Sequence, residues 1–270
     1  MKYSFLKKDR KRSLVLFFAG WSMDATPFNS LSQLDCDSVV VYDYTNLSLE
    51  KNILDGYANV FVFAWSFGVY AAAYWLRKEN LSPLMAIAIN GTLSPIDDEL
   101  GIPVGVFNGT LENLSEKSLQ KFYRRMCLSA EQYAEFMSTR PKRGLESLRS
   151  ELISIRDLSV QRPEVFKSWT KAYVADDDRI FPVANQTKAW ETAPFNQPVL
   201  ISLSCTRPTF QRIWQILLPP TLLTSGSSSN TLKSFCQHTT HMPYVKAVLL
   251  KHFSGNGKRQ DSYPIRKFMS

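Results

Sequence analysis

A serine set between a strand and a helix is the sharpest chemical feature of this 270-residue sequence. Asn59 to Ala64 (NVFVFA) is a β-branched and aromatic run, and VYAAAYWLRKE from Val69 is a strong helix former with apolar residues at helical spacing. Trp65-Ser66-Phe67-Gly68 joins them. So tight a turn needs small residues around the serine, which makes Ala64 in the place of a first glycine a change of one methyl. Ser66 would then project from the carboxyl end of a sheet as a nucleophile, and the free N–H groups of the next helix would face a developing oxyanion. An ordinary serine at a strand–helix junction is the plainer alternative, and the flanking elements weigh against it.

The other parts of such a machine have counterparts in the chain. Phe18-Ala19-Gly20-Trp21-Ser22-Met23-Asp24 follows an earlier strand. A loop in that position supplies one oxyanion N–H and the residue after the nucleophile supplies the other, so the backbone N–H groups of Trp21 and Phe67 are the candidates. The competing reading is a plain glycine turn beside a buried tryptophan. Asp176-Asp177-Asp178-Arg179-Ile180-Phe181-Pro182 follows a later strand. A carboxylate is needed there to orient a histidine, and the spacing to Ile180 and Pro182 selects Asp178, leaving Asp176 and Asp177 as a solvated acidic turn. The alternative for all three is a turn with helix-capping acids. In this order of parts the base follows the acid, so it must come from His238, His241 or His252. His241, followed by Met242-Pro243-Tyr244, has the best local context; a solvated tail histidine is the competing reading.

These residues need a scaffold. Strands are expected at Ser13–Phe18, Ser38–Tyr42, Asn59–Ala64, Leu84–Ile89 and Thr170–Ala175, with a short one at Val104–Phe107. Strands alternating with helices predict an α/β fold, an α/β-hydrolase-like, mostly parallel sheet. The charged, Leu-rich, periodic stretch 112–157 interrupts the alternation and reads as a helical cap over one end of the sheet. The expected domains are a hydrolase domain at 1–198 and an atypical basic, Ser/Thr-rich tail at 199–270.

Composition bounds the rest. At 44% hydrophobic and 21% charged residues the chain is an ordinary globular protein. No apolar run approaches the ~20 residues of a membrane helix. The basic cluster of the N-terminus follows its short apolar stretch, the wrong order for a secretory signal, so a cytoplasmic location is expected. The four cysteines are widely spaced without a CxxC and read as free thiols. With no phosphate-cradling glycine loop and no metal-ligand cluster, no cofactor and no metal are expected. The net charge of +8 lies entirely in the tail, where nine Lys/Arg face one acid, Asp261, whereas residues 1–198 are neutral. Those basic residues are scattered, so neither nucleic acid nor membrane is the expected partner.

Taken in order, FAGWSMD with Pro27-Phe28, VYDY at 41–44, AWSFGVYAA at 64–72, INGTLSPIDDELGIP at 89–103, KFYRRMC at 121–127 and DDRIFPVANQ at 177–186 resemble the pimeloyl-[acyl-carrier protein] methyl ester esterases of biotin synthesis, BioG type. The resemblance spans roughly residues 10 to 195. It implies a serine esterase that cleaves the methyl ester of pimeloyl-acyl carrier protein, with Ser66 attacking, a histidine taking its proton and Asp178 orienting that histidine. It also implies an acidic carrier protein as partner, which Lys121, Arg124 and Arg125 on the cap could contact; a solvated helix face with i,i+4 pairs is the alternative for these three. The chain departs from the family after the acid, where a His-x-Pro-aromatic motif is due some twenty-odd residues on. None stands near 200. Read from the third base of each codon, with codons chosen freely, Cys205 to Phe210 can spell such a motif, and Gln237 onward can spell a segment like the start of the malonyl-carrier-protein methyltransferase that installs the ester. Residues from about 199 are therefore expected to be out of frame, with fusion to or partnership with that methyltransferase. A generic serine esterase of other substrate, or a catalytically impaired binding protein on the same scaffold, are the competing readings.

Overall fold

Apolar runs alternating with helix formers build one seven-stranded sheet in this computed structural model. The structure describes residues 1–127, 129–160, 166–167, 169–191 and 199–201, all within one unit of the chain. The strands are β1 (Lys2–Lys7), β2 (Ser13–Phe18), β3 (Asp37–Tyr42), β4 (Asn59–Trp65), β5 (Met85–Ile89), β6 (Lys171–Ala175) and β7 (Val199–Ile201), ordered β1-β3-β2-β4-β5-β6-β7. All neighbours run parallel except the edge strand β1, antiparallel to β3. The sequence reading missed β1: KYSFLK is exposed at one end and half-buried at the other, so it carries little apolar signal, and pairing with β3 makes it a strand.

The central strands are apolar on both faces, as a doubly covered parallel sheet requires. Leu14, Val15, Leu16 and Phe18 of β2 and Phe61 to Ala64 of β4 are fully buried. Each such large side chain contributes about 1.5–3 kcal/mol on burial. Helix α1 (Gly68–Lys78) lies on this core, with Val69, Ala72, Ala73 and Trp75 excluded from solvent. Its register fixes where Ser66 stands, because the elbow is the last turn before it.

Between β5 and β6 the chain leaves the sheet and forms α2 (Val104–Glu112), α3 (Glu116–Met126), α4 (Ala130–Ser138) and α5 (Leu145–Val160). The helical insertion is therefore longer at both ends than the 112–157 reading. The short strand expected at Val104–Phe107 is corrected: these residues open α2. Pro103 stands at the N-cap, and Phe107 and Leu111, one turn apart, are buried. Burial at helical spacing overrides the β preference of Val-Gly-Val-Phe. Helix α3 opens with a Ser115–Ser118 capping box, and Arg149 of α5 donates to the carbonyls of Leu111 (2.8 Å) and Leu114 (2.9 Å), satisfying the end of α2. Helix α6 (Val183–Glu191) follows β6. Among the described residues, no helix is long and apolar enough to cross a membrane.

Candidate active site

Three strands of the parallel sheet run into residues with left-handed backbone. Asp43 follows β3 (φ 59°), Ser66 follows β4 (φ 58°) and Asn90 follows β5 (φ 47°). An L-residue pays roughly 1–2 kcal/mol to stand there. At Ser66 this reverses the chain from strand to helix within one residue and lifts the side chain out of the sheet. The strain is held in place by hydrogen bonding: Ser66 N–H donates to the Ile89 carbonyl (2.9 Å), and its own carbonyl accepts from Val69 N–H (3.1 Å).

The glycines around the elbow mark how closely backbones approach. A Cβ on Gly68 would stand 2.3 Å from the Phe18 carbonyl oxygen and 2.5 Å from that of Ala19. One on Gly91 would stand 2.2 Å from the Ser66 carbonyl oxygen. A Cβ on Gly20 would come within 3.1 Å of both the Ser66 Cβ and the Trp65 ring. The loop after β2 and the loop after β5 thus press on the elbow from both sides.

That first loop carries Trp21. The backbone N–H groups of Trp21 and Phe67 have no hydrogen-bond partner among the described residues. The Trp21 indole is fixed: its Nε1–H donates to the Leu148 carbonyl on α5 (3.1 Å), and its ring meets Phe122 of α3 edge-on at 5.0 Å. The Phe67 ring packs between Tyr44 (5.5 Å) and Tyr70 (5.6 Å). Two anchored side chains therefore orient the two backbone donors.

Asp178 follows β6. Its Oδ1 accepts the N–H groups of Ile180 (2.8 Å) and Phe181 (3.0 Å), and its Oδ2 accepts from Gln186 Nε2 (3.1 Å). Burial pushes the carboxyl up to about 6, against these three hydrogen bonds and with help from neighbouring Asp177. Asp176 and Asp177 are exposed. Oδ2 has one protein contact and keeps capacity for an imidazole N–H. Gln186 is fully buried on α6 and also donates to the Phe181 carbonyl (2.9 Å). The sequence reading did not single it out; its helical position facing Asp178 is set by packing.

Ser66 and Asp178 line the same cavity, of about 210 Å³, between the ends of the strands and the cap. Gly20, Trp21, Phe122 and Arg125 also border it. Lys121, Arg124 and Arg125 are all exposed on α3. Arg125 faces the cavity, Lys121 borders a groove beside it, and Arg124 is engaged at the α3–α4 corner, donating to the Ser129 carbonyl (2.9 Å) and lying over the Tyr133 ring at 5.7 Å. His238, His241 and His252 lie outside the described residues, as do Cys205 and Cys236; Cys36 and Cys127 are buried free thiols. The described part of the site is a strained serine, two oriented backbone donors and a half-buried carboxylate, which is the equipment of acyl transfer through a serine ester.

Residues 1–197 match the family described as "Pimeloyl-ACP methyl esterase BioG". A Bacteroides fragilis protein named malonyl-[acyl-carrier protein] O-methyltransferase is 44% identical over 182 residues, which are 67% of this chain and 37% of that protein. The chain thus spans little more than a third of that relative. An uncharacterized Haemophilus influenzae protein is 37% identical over 185 residues, 66% of this chain and 81% of its own length. Among solved structures, BioG of Haemophilus influenzae superposes with a TM-score of 0.66 at 32% identity, covering 75% of this chain and 92% of that one. A carboxylesterase of Nitrososphaera gargenis matches at 12% identity with a TM-score of 0.55, over 88% and 95% of the two chains, a likeness of fold.

Proposed function

The chain belongs to the pimeloyl-ACP methyl esterase BioG family, and from that premise we propose that it is a serine carboxylesterase hydrolysing the methyl ester of pimeloyl-acyl carrier protein in biotin synthesis. The observation that carries this reading is the juxtaposition of Ser66, at φ 58°, with Asp178 on one cavity under the helical cap. Ser66 Oγ attacks the ester carbonyl while a histidine takes its proton. The Trp21 and Phe67 N–H groups hold the oxyanion, and collapse expels methanol with the same proton. Water then attacks the acyl-enzyme by the reverse route and frees the carboxylate. Asp178 orients the histidine and stabilises its cation. Lys121 and Arg125 would meet the acidic carrier protein at the cavity mouth, with Arg124 bracing the cap behind them. A cytoplasmic location fits an acyl-carrier substrate.

The base is the part that needs its own proposal. All three histidines fall after residue 197, where the family match ends, in the segment that carries the whole net charge. The reading frame is proposed to slip near codon 199, so that the family's histidine and a methyltransferase-like segment lie in the other frame. The partial match to the longer Bacteroides fragilis protein supports such a fusion. Sequencing the coding DNA from codon 190 past the stop decides it. A single-base slip places the base in the other frame, whereas an intact frame assigns it to His241. Turnover of methyl pimeloyl-carrier protein, against short p-nitrophenyl esters, tests the substrate. Preference for the carrier-bound ester supports the reading, and efficient cleavage of the short esters alone overturns it in favour of a general esterase.

A further inference from the structure

Glu151 is a carboxylate on the apolar face of a cap helix. Leu148, Glu151, Leu152 and Ile155 form the buried stripe of α5, and Glu151 is wholly excluded from solvent. A charge in that position needs partners, and it has them on two other elements. Oε1 accepts Tyr44 N–H at 2.9 Å, just past the end of β3. Oε2 accepts Arg143 Nη1 at 2.7 Å and Ser22 N–H at 3.4 Å, in the loop after β2. Arg143 continues the network: it donates to the Met23 carbonyl (3.2 Å) and approaches Asp43 at 3.4 Å, which also pairs with Lys2 at 2.8 Å. Burial works to raise the Asp43 carboxyl, yet the Lys2 hydrogen bond and Arg143 hold it below its ordinary range.

The same stretch of chain grips the loop twice more. The Trp21 indole donates to Leu148, and Lys142 N–H donates to Asp24 Oδ2 at 2.7 Å. The loop from Trp21 to Asp24, with Ser22 at φ 71°, is thus held by residues 142–151 in addition to its own turn, where Met23 N–H donates to the Gly20 carbonyl (3.4 Å). Oxyanion donors work only if fixed before charge develops.

We propose that Glu151, braced by Arg143, is a positioning residue: it fixes the Trp21–Ser22 peptide, and so aims the Trp21 N–H at the oxyanion. This makes the cap part of the catalytic apparatus as well as a cover for the substrate. The proposal rests on the esterase reading only for the existence of an oxyanion hole.

The test is Glu151→Gln in the full chain. The amide is isosteric, but its NH₂ group must face Arg143 or a backbone N–H, donor against donor. Its Ser66 labelling by a fluorophosphonate is expected to slow about 10–100-fold, somewhat less than outright removal of one oxyanion donor. For any ester it turns over, kcat falls by the same factor with KM unchanged. Amide hydrogen exchange at Ser22 and Tyr44, whose N–H groups donate to Glu151, quickens while the sheet core stays protected. Arg143→Lys keeps a cation and shows the same pattern, weaker, if the glutamine variant folds poorly. Val39→Ala, a core change of comparable stability cost in β3, leaves labelling unchanged. The labelling ratio is read whether the wild-type rate is fast or slow, since the oxyanion hole acts on the phosphonate in either case. A ratio near one, or exchange unchanged at those amides, overturns the assignment. Failure of the carrier-bound ester as substrate overturns the proposed function and leaves the ratio standing.

Discussion

Gly68→Ala is the substitution for which the structure gives the clearest magnitude. The new Cβ would lie 2.3 Å from the Phe18 carbonyl oxygen, where an ordinary contact is 3.4 Å or more. Helix α1 must therefore retreat from β2 by about 1 Å, since the obstacle is backbone and cannot rotate away. Overpacking of this kind costs about 1–3 kcal/mol, set against a gain of at most ~1 kcal/mol for alanine over glycine in a helix. The net expectation is a loss of about 1–2 kcal/mol, read as a lower urea midpoint with unchanged slope. Catalysis suffers more than stability. Ser66 is two residues away, and a 1 Å displacement of a reacting group costs about 100-fold in rate. Gly109→Ala on α2 is the control, because a Cβ there meets nothing within 4 Å; it should gain up to ~1 kcal/mol and keep the labelling rate. If Gly68→Ala matched the wild type in both urea midpoint and Ser66 labelling, the close approach of α1 to the loop after β2 would not be what positions the nucleophile.

The same geometry sets two more expected outcomes. Ser66→Gly removes the nucleophile, so labelling and turnover vanish, while relief of the left-handed strain offsets the entropy of glycine and leaves the protein up to ~1 kcal/mol more stable by urea titration. Asp178 should shape both pH profiles. Its carboxyl is raised from 3.8 to about 6 in the fold, so the folded state holds the proton more tightly than the unfolded chain. Its contribution to stability is therefore full below about pH 4 and lost as pH rises to about 6. Asp178→Asn removes that slope, and the stability difference between variant and wild type should grow in the variant's favour by about 2–3 kcal/mol between pH 4 and 7. In the chain read in the frame that carries the histidine, activity moves the other way, falling as pH drops through about 6, because only the carboxylate can steady an imidazolium; there the asparagine variant should lose about 10⁴-fold in kcat.

Much of the site was legible because its signals are local. Positions 59–68 hold an apolar strand, a serine and a glycine, and the elbow they form depends on residues within one turn of one another. The glycine after β2 and the Asp178-Ile180-Pro182 spacing are equally local, since turn chemistry is written in consecutive residues. The short strand expected at Val104–Phe107 failed for the opposite reason. Local β preference there yields to the burial of Phe107 and Leu111 on one helical face, and the surface that rewards this burial is supplied by distant chain. Gln186 and Asp178, Glu151 and Ser22, and Trp21 and Leu148 are separated by 8, 129 and 127 residues respectively. A carboxylate on the apolar stripe of α5 was the one trace of the second pair in the sequence. The sequence by itself determined the candidate nucleophile and the candidate acid, the parallel sheet and the presence of a helical insertion, because each follows from side-chain type and period. Only the tertiary structure decided which groups restrain them: a carboxyl's pKa, the aim of a backbone N–H and the tolerance for a Cβ are all set by atoms that the chain brings together from far apart.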